Sequence, residues 1–263
     1  MARWTLMCGR FVSASDLELV ATYFDAPPPG FDAARSYNVS PTADIVAVVG
    51  SGGSRRLEVF RWGLVPPWSA DPSKGPPLFN ARSETASSKN SFRHAFRCRR
   101  CIVPADGFYE WPRAPKGASR EQRPLPHYIT RADGDLLAMA GLWERWSPRA
   151  DEGVAAGVDA DSGTPASARH VLHSATVLTT AANEFMAQMH ERMPVLLGRS
   201  QWETWLDPAN DDLDELTALC APAAPGMLRS HPVSGAVGDS RNNHAGLIEP
   251  AEAVASNGPS ALW

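Results

Sequence analysis

The chain has 263 residues, 43% of them hydrophobic, four cysteines and a formal net charge of −4. That is enough apolar sequence for one substantial core, and too few cysteines for a disulfide scaffold, so a reducing cytoplasm is expected, with nucleoid association if the source is bacterial. No run of about 18 apolar residues argues for a membrane span, residues 1–7 carry no apolar stretch of a secretory signal, and the mild acidity means that any nucleic-acid contact must use a local basic surface.

In chain order, residues 16–24 read as a helix with Ser15 as its N-cap. Strands are expected at 45–49 and 57–62, then a helix at 84–96. Strands follow at 101–103, 108–111, 127–130, 136–143 and 171–180. Residues 112–126, rich in Pro, Lys and Arg, and residues 147–168, nearly devoid of large apolar side chains, read as insertions, the second a mobile loop. Helices are expected at 183–190, 201–206 and 213–220. The pattern predicts an α+β fold: a single compact β-rich domain over residues 8–250, with a curled or barrel-like sheet and flanking helices. Residues 1–7 read as a leader or a misassigned start, and 251–263 as a flexible tail.

Charge is unevenly spread. Lys89, Arg93, Arg97, Arg99 and Arg100 form a basic stretch, and Glu203, Asp207, Asp211, Asp212, Asp214 and Glu215 an acidic one. On charge alone these are two solvated helix faces of opposite sign. Cys98-Arg-Arg-Cys101 has CxxC spacing, but no second pair of ligands completes a zinc set, and Cys101 opens an apolar strand where a buried thiol is ordinary. No metal or cofactor is expected.

Cys8 is different. If Met7 is the true start, or if residues 1–7 are removed, Cys8 carries a thiol and a primary amine on adjacent carbons. The α-amine titrates near about 7.7–8.0, so a useful fraction is a neutral nucleophile at neutral pH. Polar residues in tight apolar or Pro-flanked settings accompany it: Asn38, Asn80, Arg82, Glu110, His190 and Arg192. Glu110 lies between Tyr109 and Trp111, and alternation sends it to the opposite face from both, where a charge on a strand edge is usually solvated. Singly each is structural. Together with a cysteine they justify a reaction hypothesis.

The stretches Met7-Cys-Gly-Arg-Phe11, Tyr37-Asn-Val-Ser-Pro41, Arg61-Trp-Gly-Leu-Val-Pro66 with Trp68, Asn80-Ala-Arg-Ser-Glu-Thr85, Arg100-Cys-Ile-Val-Pro-Ala-Asp-Gly-Phe-Tyr-Glu-Trp111, Ala140-Gly-Leu-Trp143, His190-Glu-Arg-Met-Pro194 and His231-Pro-Val-Ser234 run in order along nearly the whole chain. In this ordered set the sequence resembles the SRAP family, named for SOS-response-associated peptidases, whose members act on abasic sites in DNA. The resemblance implies a compact β-rich domain with a basic cleft for single-stranded DNA, to which residues 89–100 add. A monomer is expected. It implies that Cys8, Asn80, Glu110 and His190 are catalytic. It places Arg10, Asn38, Trp68 and Arg82 in motifs lining the DNA channel.

The expected chemistry is a Schiff base between the Cys8 amine and the ring-opened aldehyde of an abasic sugar, closed by the Cys8 thiol to a thiazolidine. A β-elimination (lyase) side activity and peptidase removal of the preceding Met accompany it. Six residues precede Met7, which requires Met7 to be the start or the Met7–Cys8 bond to be cut. Two rival readings stand: a cysteine hydrolase using Cys8, His190 and Glu110 or Asn80, and a non-catalytic nucleic-acid-binding domain.

Overall fold

The structure is a computed structural model, and it describes residues 9–51, 53–113, 117, 124–148 and 171–251. The core is a closed barrel. Strand β3 (Asp44–Ser51) pairs with β4 (Ser54–Trp62) and β6 (Arg100–Ala105), β6 with β9 (Leu137–Trp146), β9 with β10 (Leu172–Ala181), and β10 returns to β4. Only the β10–β4 seam is parallel; the other four are antiparallel. Two short strands extend β10: β5 (Asn80–Arg82), parallel to it, and β11 (Arg192–Pro194), antiparallel. The barrel-like sheet expected from the strand pattern is therefore present.

Period-2 alternation divides the barrel side chains between two clusters. Ile45, Ala47, Val49, Phe60, Cys101, Val103, Met139, Ala175 and Val177 form one. Val46, Val48, Leu57, Ile102, Ala138, Ala140 and Leu142 join the other, which the helices cover. Those helices are α1 (Leu17–Tyr23), α2 (Ser83–Ala86), α3 (Arg93–Cys98), α5 (Trp202–Leu206) and α6 (Leu213–Ala218); a short α4 (Glu184–Ala187) follows β10. Gly141 is required where β9 meets its neighbours: a Cβ there would lie 2.9 Å from the Cys101 sulfur and 3.0 Å from the Thr176 carbonyl.

A second, antiparallel sheet has the order β12 (Leu228–Pro232), β8 (His127–Arg131), β7 (Gly107–Glu110), β1 (Phe11–Ser13), β2 (Ser36–Val39). Its Phe11, Val39, Phe108 and Ile129 pack into the first barrel cluster. Its Val12, Tyr109 and Tyr128 pack on the opposite side against Val233, Val237 and Leu247 of the C-terminal segment. One residue, Asp106, separates β6 of the barrel from β7 of the second sheet, so the chain passes directly between them. Its carboxylate also accepts from the Ala14 N–H at 2.7 Å and the Ser15 hydroxyl at 2.5 Å, which ties the end of β1 to that crossing.

Several expectations are corrected. The helix over 84–96 is two helices, because Ser87 to Ser91 is rich in Ser and Asn, which compete with helix bonding; the Ser88 hydroxyl donates to the Thr85 carbonyl at 3.1 Å. Ser15 does not cap α1: Asp16 holds the N-cap position without a side-chain bond, and the Ser15 hydroxyl is spent on Asp106. The helix over 183–190 shortens to α4, capped by Asn183, whose side chain accepts from the Met186 N–H. Strands β1, β2, β5, β11 and β12 are found where none was expected. Residues 149–168, most of the second insertion, and 252–263 lie outside the described residues. Among the described residues no helix is long and apolar enough to cross a membrane.

Candidate functional site

Glu110 ends β7 and is 2% exposed. The expectation of a solvated charge on a strand edge fails because β7 is not an edge: β1 pairs on one side and β8 on the other. Alternation does hold. Tyr109 packs toward the C-terminal segment, where its hydroxyl donates to the Tyr37 carbonyl at 2.8 Å; Glu110 shares the barrel-facing side with Phe108. The register pairs Phe11 with Phe108, and the Tyr109 N–H donates to the Arg10 carbonyl at 3.0 Å. Continued by one step, it sets buried Gly9 opposite Glu110. Cys8 lies outside the described residues, as do the residues before it.

His190 sits in the turn between α4 and β11 and is 4% exposed. Its backbone N–H bonds the Met186 carbonyl at 2.8 Å, and its Nδ1 accepts from the Arg192 N–H at 3.1 Å. In the neutral ring that leaves the proton on Nε2. Burial pushes its pKa down, and the nearby Arg113 guanidinium adds to the shift. His190 is therefore a neutral imidazole with one N–H to give.

The turn is held from two sides. Arg113, three residues after Glu110, bonds Glu191 at 2.8 Å. Arg192 forms a two-point pair with Glu84, one contact at 2.8 Å, and also donates to the Thr179 carbonyl at 2.6 Å. The Arg192 bonds hold the Glu84 carboxyl below the usual carboxylate range, and Arg113 does the same for Glu191. Arg82 is close enough to depress both further.

Asn80 and Arg82 stand at the two ends of β5, opposite Val177 and Thr179 of β10. Two residues apart on a strand, they share a face, with Ala81 buried between them on the other. The structure thus brings Arg82, Glu84, Arg113, His190, Glu191 and Arg192 together at the ends of β5, β7, β10 and β11, with Glu110 and Asn80 on the same elements. Sequence reasoning missed Arg113 and Glu191. Arg113 lay in a stretch read as an insertion, and no local pattern announces a pair 78 residues apart.

Arg10 and Asn38 lie on the other side of the second sheet. Arg10 donates to the Asn38 Oδ1 at 2.8 Å and to the Val237 carbonyl at 2.9 Å. Asn38, 4% exposed, donates to the carbonyls of Val237, Asp239 and Asn242 at 3.2, 3.0 and 2.9 Å. Trp68 is 50% exposed on the loop between the Leu64–Leu78 bridge.

The basic stretch divides. Lys89, Arg93 and Arg97 are exposed. Arg99 pairs with buried Glu144. Arg100, 3% exposed, is internal and donates to the Trp205 carbonyl at 2.6 Å and the Phe96 carbonyl at 2.8 Å. Cys101 is fully buried, as its apolar strand requires, and burial pushes its thiol pKa far up.

Residues 7–240 match the family described as SOS response associated peptidase (SRAP). The abasic site processing protein YoaM of Bacillus subtilis is 36% identical over 92% of this chain and 98% of its own length. The abasic site processing protein YedK of Escherichia coli is 30% identical over 93% of this chain and all of its own. A crystal structure from Bacteroides thetaiotaomicron superposes with a TM-score of 0.71 over 93% of this chain and all of its own, at 23% identity. One from Bordetella bronchiseptica gives 0.66 over 86% of this chain and all of its own, at 26% identity. With a family match over most of its length and relatives of this similarity, the chain belongs to the SOS response associated peptidase (SRAP) family.

Proposed function

We propose that this protein processes abasic sites in single-stranded DNA by bonding covalently to them through Cys8, acting as a monomer. One observation carries the reading: a carboxylate buried at 2% exposure, Glu110, ends the strand beside Gly9, and the peptide bond keeps Cys8 within about 3.8 Å of Gly9, Cα to Cα. Relatives named as abasic site processing proteins support it.

The chemistry follows from the groups available. The Cys8 amine, freed from whatever precedes it, adds to the C1′ aldehyde of the opened sugar, and loss of water gives the Schiff base. The Cys8 thiol then adds across the C=N bond, its proton passing to nitrogen, and closes a thiazolidine. Ring closure is intramolecular and gains accordingly. Glu110 accepts the ammonium proton that must leave before attack. Neutral His190 offers its Nε2–H to the sugar ring oxygen during opening and takes it back on reversal. Asn80 orients the aminothiol or sugar. Proton loss beside the Schiff base gives the β-elimination side reaction. The same groups serve cleavage of the Met7–Cys8 bond.

DNA contact falls to exposed groups: Arg82 for phosphate and the Trp68 ring for stacking on a base. Arg10 and Asn38, engaged with the C-terminal segment, brace the segment that leads from Gly9 into β1. The test uses protein made to begin at Met7 and an oligonucleotide with one abasic site. Both Cys8→Ala and chemical acetylation of the N-terminus are expected to abolish the slow-migrating band on a denaturing gel. A band that survives acetylation would assign the link to the thiol alone and favour a cysteine hydrolase.

A further inference from the structure

A second thiol site lies on the helix-covered side of the barrel. On α3, His94 and Cys98 are one helical turn apart, on the same face. The half-buried Cys98 sulfur lies 3.7 Å from the His94 Nε2 and 3.9 Å from its Nδ1. The same His94 Nδ1 lies 3.4 Å from a carboxylate oxygen of Glu144, which is 2% exposed and anchored by Arg99 through its other oxygen. With Nδ1–H turned to Glu144, Nε2 is the ring nitrogen left with a lone pair, 3.7 Å from the sulfur, a base held by a third group. The His94 carbonyl, 3.4 Å from the sulfur, is a second acceptor within reach of the thiol hydrogen. Arg93 and Arg97, on the same helix, are exposed and, with Ser87, Ser88 and His94, line a shallow pocket of about 350 Å³. Cys101 and Cys220, by contrast, are buried, and burial pushes both thiol pKa values up, Cys220 to about 12.

We propose that Cys98 is a thiol-modification site that takes small anionic disulfides. His94 Nε2 accepts the thiol proton. The thiolate sulfur attacks one sulfur of the disulfide, forming the new S–S bond as the old one breaks. The electron pair leaves on the departing thiolate, which recovers the proton from His94. One disulfide and one thiol enter, and one mixed disulfide and one thiol leave. The arginines select for a negatively charged partner. The site is independent of the Cys8 chemistry.

The full chain is incubated at neutral pH and low salt with oxidised glutathione (anionic) or cystamine (cationic), and occupancy is followed cysteine by cysteine by peptide mass analysis. Cys98 is expected to acquire glutathione while Cys101 and Cys220 stay unmodified. Glutathione disulfide should react about ten times faster than cystamine at low salt, and the preference should collapse near ~1 M salt, where charges are screened. His94→Gln should slow Cys98 about ten-fold or more through loss of the base. The Arg93→Gln, Arg97→Gln double variant touches only exposed side chains and should lose the anion preference while keeping reactivity toward cystamine. Cys98 reacting no faster than in the urea-unfolded chain, equal rates for the two disulfides, or unchanged charge preference in the double arginine variant would each overturn the proposal.

Discussion

At the scale of single residues, the surroundings of His190 determine which proton it has to give. Burial and Arg113 both favour the neutral ring, and the Arg192 N–H occupies Nδ1. Arg113→Gln removes a cation and also leaves Glu191, whose charge acts in the opposite direction, without its partner. Both changes favour the imidazolium. The His190 titration should therefore move upward in the variant, read by NMR of the ring signals; an unchanged or lower midpoint would refute the electrostatic assignment. The same depressed value has a stability consequence. The unfolded chain binds the proton near pH 6.5, the folded protein only below it. Stability attributable to His190 is thus full above about 6.5 and is lost as pH falls toward the lower folded value. Melting temperature should drop less between pH 7 and 5 in His190→Gln than in the parent protein.

Asn38 makes a structural prediction at this scale. Its side chain is buried among three carbonyls and the Arg10 guanidinium. Asn38→Ala leaves those groups without their partner, at a cost of about 2–3 kcal/mol, measurable by urea unfolding. Loss of covalent activity should track the loss of order in the segment around Gly9.

At the scale of elements, the second sheet places the site, and Gly107 permits its packing. A Cβ at Gly107 would lie 2.5 Å from the Tyr128 ring and 2.6 Å from the Ile129 carbonyl. Gly107→Ala must push β7 off β8, costing about 1–3 kcal/mol and displacing Glu110 with it. DNA-linking activity should fall more than DNA binding does, which a gel and a binding titration on one preparation would show. This is also where sequence reading meets its limit. The strands of the barrel were legible because Ile45 to Val49 and Leu136 to Trp143 are long apolar runs. Strands β1, β2, β5, β11 and β12 were not, since three to five residues such as Ser-Tyr-Asn-Val carry too little local preference; their partners in the sheet make them strands. For the same reason the burial of Glu110 was hidden: which strand stands at an edge is set by pairing, not by the strand's own residues. The proposed catalytic set was read from its motifs, but the Arg113–Glu191 pair on the same elements depends on contacts that no local pattern encodes.

At the scale of the whole molecule, the proposed DNA contact falls to a few exposed groups on an acidic chain. Trp68, 50% exposed, offers an aromatic face without contributing a buried anchor. Trp68→Ala should leave stability within about 0.5 kcal/mol and weaken single-stranded DNA binding by roughly 1–3 kcal/mol, as seen by fluorescence titration. Arg100→Gln, though part of the same basic stretch in sequence as Arg93 and Arg97, should instead unfold the protein at lower urea, because its guanidinium is bonded to internal carbonyls.

The proposed covalent link through the Cys8 aminothiol is read most directly from the intact mass of the adduct. Protein made to begin at Met7 is mixed with a single-stranded oligonucleotide bearing one abasic site and analysed under denaturing conditions without reductant. The expected adduct equals the chain from Cys8 plus the oligonucleotide minus one water, and is absent with Cys8→Ala. A folded protein with Cys8 verified as its first residue that gives no adduct would contradict it.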